Sequence, residues 1–260
     1  GRNLRQDQGV YRSMKKERLD EALVRLQYAD TPELARAIIM EGRVFQNRNR
    51  LDKPAILLAS DVGLTVKGDK LPYVSRGGLK LEKAIAAFGL TFEGKTCMDV
   101  GSSTGGFTDC MLQKGAQKVY AVDVGYGLLD WKLRNDPRVV VMERTNARLL
   151  NPEMTGGERM DFASMDVSFI SATKILCAAD SVMKPGATAF ILVKPQFEAP
   201  KHDVPPGGVI TDPAVRQAAL DKVCTFVKEN LQWTLRDVSD SPLKGPKGNL
   251  EYVAVFIKNG

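Results

Sequence analysis

Two acids in a glycine-rich setting are the first place in this chain where residue type and spacing suggest chemistry. Asp99-Val100-Gly101-Ser102-Ser103-Thr104-Gly105-Gly106-Phe107 continues a strand-like run that starts at Thr96, and Asp123 closes the next run, Lys118–Val122. Acids at the carboxyl ends of neighbouring strands face the edge where open α/β sheets bind ligands, and glycines there let the backbone approach a cofactor. A dinucleotide would require GxGxxG, so that its pyrophosphate meets a helix N-terminus. Here that spacing fails, and an acid stands two residues before Gly101. S-adenosylmethionine suits the pattern better, because it has no phosphate and carries a cationic sulfonium and amino group. Asp123 is placed to accept hydrogen bonds from the cofactor's ribose hydroxyls. Asp99, Gly101, Ser102, Thr104, Gly105, Gly106, Phe107 and Asp123 are thus candidate cofactor-binding residues. Asn146 and Asp166, after later strands at the same edge, are candidates to complete the pocket around the adenine.

Four more ionisable residues stand at telling places. Lys80 precedes the first of these strands, Asp166 follows the fourth, Lys194 follows the fifth and Glu251 enters the last. In a parallel sheet three of them converge beside the glycine-rich loop. Taken singly, such side chains are usually just solvated. Taken together, in the contexts Gly78-Leu79-Lys80, Met165-Asp166-Val167-Ser168-Phe169, Val193-Lys194-Pro195-Gln196-Phe197 and Leu250-Glu251-Tyr252, they resemble the Lys-Asp-Lys-Glu tetrad of the FtsJ-like ribose 2′-O-methyltransferases. The resemblance implies that all four are catalytic. A ribose hydroxyl is a poor nucleophile at neutral pH, so attack on a methyl carbon needs proton removal or stabilisation of the developing alkoxide. A lysine can do either. Lys194 is expected to face the hydroxyl, Asp166 to orient it, and Lys80 with Glu251 to position the group. Other acceptors fit less well: Asn/Asp-Pro-Pro-aromatic, common in amino-methylating enzymes, is missing after the fourth strand, and no cysteine follows a proline as cytosine C5 chemistry often requires.

The elements that must carry these residues alternate. Strand-like runs at Thr96–Val100, Lys118–Val122, Val139–Met142, Phe162–Met165, Ala187–Val193 and Tyr252–Ile257 are interspersed with helix-length segments such as Phe107–Lys114 and Ala214–Asn230. That alternation predicts an α/β fold, a Rossmann-like, doubly wound and mainly parallel sheet, over residues 75–260. Residues 61–78 read as a glycine-rich linker, and the Pro/Gly-rich stretch Ala199–Gly208, with the chain's single histidine, His202, as a substrate-side loop. No metal role is expected for it. Cys97, Cys110, Cys177 and Cys224 are widely spaced with no CxxC pair, which favours reduced thiols over a zinc site or a disulfide framework.

Ahead of this domain the charge changes. Residues 1–80 hold 16 Lys+Arg against 10 Asp+Glu, whereas the remainder holds 21 of each, so the whole excess of +6 lies in the N-terminal third. Such asymmetry is expected where one end of a protein handles a polyanion. Residues 1–14 read as a leader or a cloning remnant. Leu19, Leu23 and Leu26 mark one face of a first helix. Thr31-Pro32 caps a second, with Leu34, Ile38 and Ile39 on its apolar face and Gly42 to stop it. Arg43–Leu51 reads as a hairpin studded with arginines. This pattern resembles the αL-motif RNA-binding domain of a ribosomal small-subunit protein, carried by Arg18-Leu19-Asp20, Ala35-Arg36, Gly42-Arg43-Val44 and Lys53-Pro54, and predicts a small α+β domain over residues 15–74. Asn47-Arg48 replaces that family's usual Asn-Gly, and Thr31-Pro32-Glu33 its usual Ser-Arg. Arg18, Arg36, Arg43, Arg48, Arg50 and Lys53 are the candidate RNA contacts.

Both halves together resemble the TlyA family over residues 14–260. The resemblance implies an S-adenosylmethionine-dependent cytidine 2′-O-methyltransferase of ribosomal RNA, with a ribosomal subunit or its RNA as partner and the cytoplasm as its location. The family's haemolysin naming leaves a membrane-active protein as one alternative, and an inactive RNA-binding protein as another. The longest apolar stretch, near Ala189–Val193, falls far short of the ~20 residues of a spanning helix.

Overall fold

The computed structural model describes residues 15–260 apart from positions 27, 61, 69, 70 and 246, so the leader expected at residues 1–14 lies outside the described residues. By its internal contacts the chain divides into two compact units, residues 1–71 and 72–260.

The first unit contains β1 (Lys16–Arg18), α1 (Leu19–Arg25), α2 (Pro32–Met40), β2 (Val44–Gln46), β3 (Asn49–Leu51), β4 (Leu57–Ala59) and β5 (Thr65–Val66). Thr31 caps α2 by accepting a hydrogen bond from the Leu34 N–H at 3.2 Å, and Pro32 supplies the first helical residue. Leu19, Leu23, Leu34, Ile38 and Ile39 are buried between the two helices and the strands beside them. Leu26, predicted on the same face, instead lies just past the end of α1 and is exposed, because the helix stops after two turns. β2 and β3 form the expected hairpin, with Gln46 opposite Asn49 and Asn47 in the left-handed region at φ 56°. Asparagine tolerates that region better than other side chains do.

The second unit is built on a seven-stranded sheet. Its elements are α3 (Gly77–Phe88), β6 (Thr96–Val100), α4 (Gly106–Gln113), β7 (Lys118–Val122), α5 (Trp131–Arg134), β8 (Val139–Met142), β9 (Met160–Met165), α6 (Thr173–Ser181), β10 (Met183–Val193), α7 (Pro195–Glu198), α8 (Pro213–Asn230), β11 (Trp233–Asp240) and β12 (Tyr252–Lys258). The strand order is β11-β12-β10-β9-β6-β7-β8. β6 to β10 run parallel, whereas β12 lies antiparallel between β10 and β11. This is a Rossmann-like arrangement, with helices supplying a hydrophobic layer on each face. The central strands are mainly apolar, as strands covered on both faces tend to be, with Asp99 of β6 and Ser164 of β9 as buried polar exceptions.

Two expectations need correction. Residues 61–78 are not a linker throughout: Tyr73 and Val74 are buried in the second unit, and α3 begins at Gly77. β11 went unpredicted because it is an edge strand with mostly exposed side chains and an irregular register at Leu235/Asp237, so it lacks an apolar signature.

Candidate active site

Register brings the acids together. Val100 of β6 lies beside Val122 of β7 on one side and Met165 of β9 on the other, so the segments that follow these three strands emerge side by side. β12 enters the sheet at the same edge, Tyr252 facing Val193, because an antiparallel strand starts where its parallel neighbours end. A cavity of about 320 Å³ opens there, lined among others by Gly101, Ser103, Asp123, Asn146, Asp166 and Phe169. Its size lies at the lower end of the range for ligand pockets.

The floor of the cavity requires glycine. Gly101 has φ 81°, and a Cβ there would lie 2.2 Å from the carbonyl oxygen of Asp166. On the wall, the Asp123 carboxylate accepts hydrogen bonds from the Ser103 and Gly125 N–H groups, each at 2.8 Å. Each carboxylate oxygen keeps a lone-pair direction for a ligand hydroxyl. Beside it, Lys194 Nζ lies 2.5 Å from Asp166 Oδ1 and donates to Ser168 Oγ at 3.2 Å. A second pair, Lys80 Nζ to Glu251 Oε2 at 3.3 Å, is tied to the first segment through Gln196, whose amide donates to Glu251 Oε1 at 3.3 Å. All four tetrad side chains are largely buried, Glu251 completely. Buried charges are tolerated when paired, and each of these has an ion-pair partner of opposite charge.

The pattern of the FtsJ-like methyltransferase family matches residues 73–258. The chain belongs to that family. It is 46% identical, over 90% of its length and 87% of the relative's, to the 16S/23S rRNA (cytidine-2′-O)-methyltransferase TlyA of Mycobacterium tuberculosis. Hemolysin A of Brachyspira hyodysenteriae is 42% identical over 92% of this chain and 99% of its own. A solved structure of a hemolysin-named protein from Streptococcus thermophilus superposes with a TM-score of 0.75 at 42% identity, covering 95% of this chain and 90% of that one. S-adenosylmethionine is the methyl donor of this FtsJ-like enzyme.

Within the FtsJ-like fold, several residues expected at the cofactor have other work. Asp99 lies beneath the cavity, 1% exposed, and accepts from the Thr108 N–H at 3.0 Å, the Thr108 hydroxyl at 2.7 Å and the Ser164 hydroxyl at 3.2 Å. Burial pushes its carboxyl up to about 7, with the Asp166 charge adding to the rise and the Thr108 and Ser164 hydrogen bonds opposing it. Asp99 thus fastens β6 to α4 and β9. Gly105 is a packing glycine, since a Cβ would meet Leu133 Cδ1 at 2.3 Å. Gly106 is another, because a Cβ there would lie 2.2 Å from Ser75 Oγ and 2.8 Å from the Gly78 nitrogen, and its absence lets α3 and α4 approach closely. Phe107 is a core residue, its ring 5.9 Å from that of Phe190. Ser102, Thr104, Gly105, Gly106 and Phe107 do not line the cavity, whereas Gly101, Asp123, Asn146 and Asp166 do. Sequence reasoning missed Ser103, Val124, Leu128 and Ser168; the first is held at φ 51°, a strain visible only in the backbone. The His202 side chain is 79% exposed and lies 3.5 Å from Asp203.

In the first unit, Asp20 organises two of the candidate RNA contacts. Its buried carboxylate takes Arg18 through two hydrogen bonds of 2.9 Å and Arg36 Nε at 3.1 Å, leaving both guanidiniums about half exposed. Arg43 is held by the Lys67 carbonyl at 2.7 Å and by Glu41, while Arg48, Arg50 and Lys53 are exposed. The Arg18 hydrogen bonds, helped by Arg36 and opposed by burial, lower the Asp20 carboxyl from 3.8 to about 2. A carboxyl lowered in the folded state stabilises that state above its unfolded value and loses the contribution as pH falls through the folded one. The first unit is therefore expected to lose stability between about pH 4 and pH 2 through this group. Asp20→Asn should flatten that dependence in acid titrations followed by circular dichroism.

Proposed function

We propose that this protein transfers the methyl group of S-adenosylmethionine to the ribose 2′-hydroxyl of a cytidine in ribosomal RNA. One observation carries the reading. Asp166 both lines the cavity and holds Lys194, so a group able to handle a hydroxyl proton adjoins the space suited to the methyl donor. The substrate agrees with that of the Mycobacterium tuberculosis relative, an rRNA (cytidine-2′-O)-methyltransferase.

The cavity fits the donor chemically: Asp123 keeps lone pairs for a ribose diol, Val124 and Leu128 offer apolar walls to a base, and Asp166 offers negative charge to a cation. When bound, S-adenosylmethionine supplies an electrophilic methyl group on a positively charged sulfur. Lys194 either accepts the proton of the incoming hydroxyl or stabilises the oxygen's developing charge. Asp166 and Ser168 restrict its rotamers by holding the ammonium from two directions. Lys80 and Glu251, joined to Gln196, stiffen the segment that carries Lys194. Arg18, Arg36, Arg43, Arg48, Arg50 and Lys53 contact RNA phosphates, and a ribosomal substrate implies work in the cytoplasm. A membrane-active reading leaves the two buried ion pairs of the site without a role.

The test is transfer of labelled methyl from S-adenosylmethionine to ribosomal RNA, followed by digestion to nucleosides. Label in 2′-O-methylcytidine is the expected result; label on a base atom, or none, rejects the proposal. Asp123→Ala is expected to weaken S-adenosylmethionine binding by about 1–3 kcal/mol in calorimetry, the scale for leaving hydrogen-bonding groups unpaired, with RNA affinity unchanged.

A further inference from the structure

The segment after β10 carries more than Lys194. Four residues on, at the end of α7, stands Glu198, whose side chain is only 2% exposed. Its carboxylate accepts a hydrogen bond from the Ser171 hydroxyl at 2.5 Å and from the Ala172 N–H at 2.7 Å. Those two residues end the loop after β9 and begin α6, with Ala172 as its N-cap, an end where a negative charge is favoured. Lys222 of α8 closes the arrangement from behind, 3.2 Å from the carboxylate, and donates to the Glu198 backbone carbonyl at 2.9 Å.

The geometry forms a closed ring. From Asp166 the chain runs through Ser168 and Phe169 to Ala172, crosses to Glu198 by hydrogen bonds, returns through α7 to Lys194, and crosses back to Asp166 by the 2.5 Å ion pair. Within that ring Phe169 sits at φ 67°, a conformation that persists in a bulky residue only when its surroundings hold it. α7 touches the loop at one further point, where the Phe197 ring packs 5.2 Å from that of Phe169. Opening the ring at Glu198 frees the loop end and lets its strain relax, which displaces Asp166 and Ser168 from Lys194.

We propose that Glu198 is a positioning residue for methyl transfer, clamping the loop after β9 to the segment after β10 so that Asp166 and Ser168 hold Lys194 in place. This rests on the reading of Lys194 given above. Misplacement of a reacting group by about 1 Å can cost about 100-fold in rate.

The test compares the parent with Glu198→Ala and Glu198→Gln in the full chain. Three quantities are measured: single-turnover methylation of ribosomal RNA, calorimetric S-adenosylmethionine affinity with its stoichiometry, and RNA concentration dependence. Glu198→Ala is expected to lower the single-turnover rate about 10- to 100-fold, with cofactor affinity, stoichiometry and half-saturating RNA within about twofold of the parent. Glu198→Gln, which still accepts from the Ala172 N–H and meets the Ser171 hydroxyl, is expected to restore most of the rate. If Glu198→Ala does not fold, Ser171→Ala removes one arm of the clamp and should lower the rate by a smaller factor with the same cofactor affinity. The proposal is overturned by an unchanged rate in the alanine variants, by a rate loss that only tracks a fall in binding stoichiometry, or by a glutamine variant as slow as alanine. A parent enzyme that methylates no ribose would instead overturn the functional reading.

Discussion

Lys194→Ala is expected to lower methyl transfer by at least about 100-fold, the scale of a lost proton-transfer group, while S-adenosylmethionine affinity stays within a few-fold of the parent. Gly101, Ser103 and Asp123 wall the cavity with no contact to the lysine side chain, and of the lining residues Asp166 and Ser168 are the ones it touches. Lys194→Arg separates the two roles open to this residue. Arginine keeps the charge that Asp166 holds but does not give up its proton at any usable pH, so it can steady an alkoxide and cannot act as a base. A base role predicts that arginine is as inactive as alanine and that the parent's single-turnover rate climbs with pH. Comparable rates in the parent and the arginine variant would leave Lys194 as an electrostatic guide.

The second large effect is expected at Gly101. Alanine there places a methyl group 2.2 Å from the Asp166 carbonyl oxygen in a backbone that already stands at φ 81°, so either the loop or the strand end after β9 must shift. Both sides of the shift are functional, one forming the cavity floor and the other carrying Asp166. Cofactor affinity should fall by at least tenfold, about 1.4 kcal/mol, and methyl transfer by about 100-fold. Gly127→Ala is the control: it too has positive φ, at 67°, but its added methyl group meets nothing within 4 Å. It should cost local backbone strain alone. If both variants bind S-adenosylmethionine as the parent does, the close approach at Gly101 has no bearing on the pocket.

What could be read from sequence followed the physics of burial. β6, β7 and β8 begin and end where their strand-like runs do, because β-branched and apolar residues dominate them even though β6 carries the buried Asp99 and β8 lies at the edge of the sheet. Asp166, Lys194 and Glu251 were legible because strand ends are themselves legible, whereas Lys80, inside α3, was found only through the resemblance to the FtsJ-like tetrad. The glycine-rich loop was not legible. Gly105 and Gly106 look like cofactor glycines in sequence, yet what they accommodate is Leu133 and the backbone of α3, contacts between segments far apart in the chain. α3 itself was hidden by Gly77-Gly78, a pair that ordinarily breaks helices; Gly78 is required because a Cβ would lie 2.3 Å from the Tyr73 ring. Asp99 was read as facing the ligand because alternation along a strand gives a face but not a depth. Glu198 carried no signal at all, since its partners at Ser171 and Ala172 are tertiary.

The reversed direction of β12 also bears on how the protein comes off the ribosome. Lys80 belongs to the first helix of its unit and Glu251 to the approach to its last strand, 171 residues later, and β12 must slot between β10 and β11 before the two side chains can meet. The strands from β6 to β10 can pair as they are synthesised, each beside one already made. The catalytic group cannot be completed in that vectorial way. The segments that line the cavity, and Lys194 after them, all precede Glu251 in the chain, so the pairing that finishes the site waits for the last strand of the sheet.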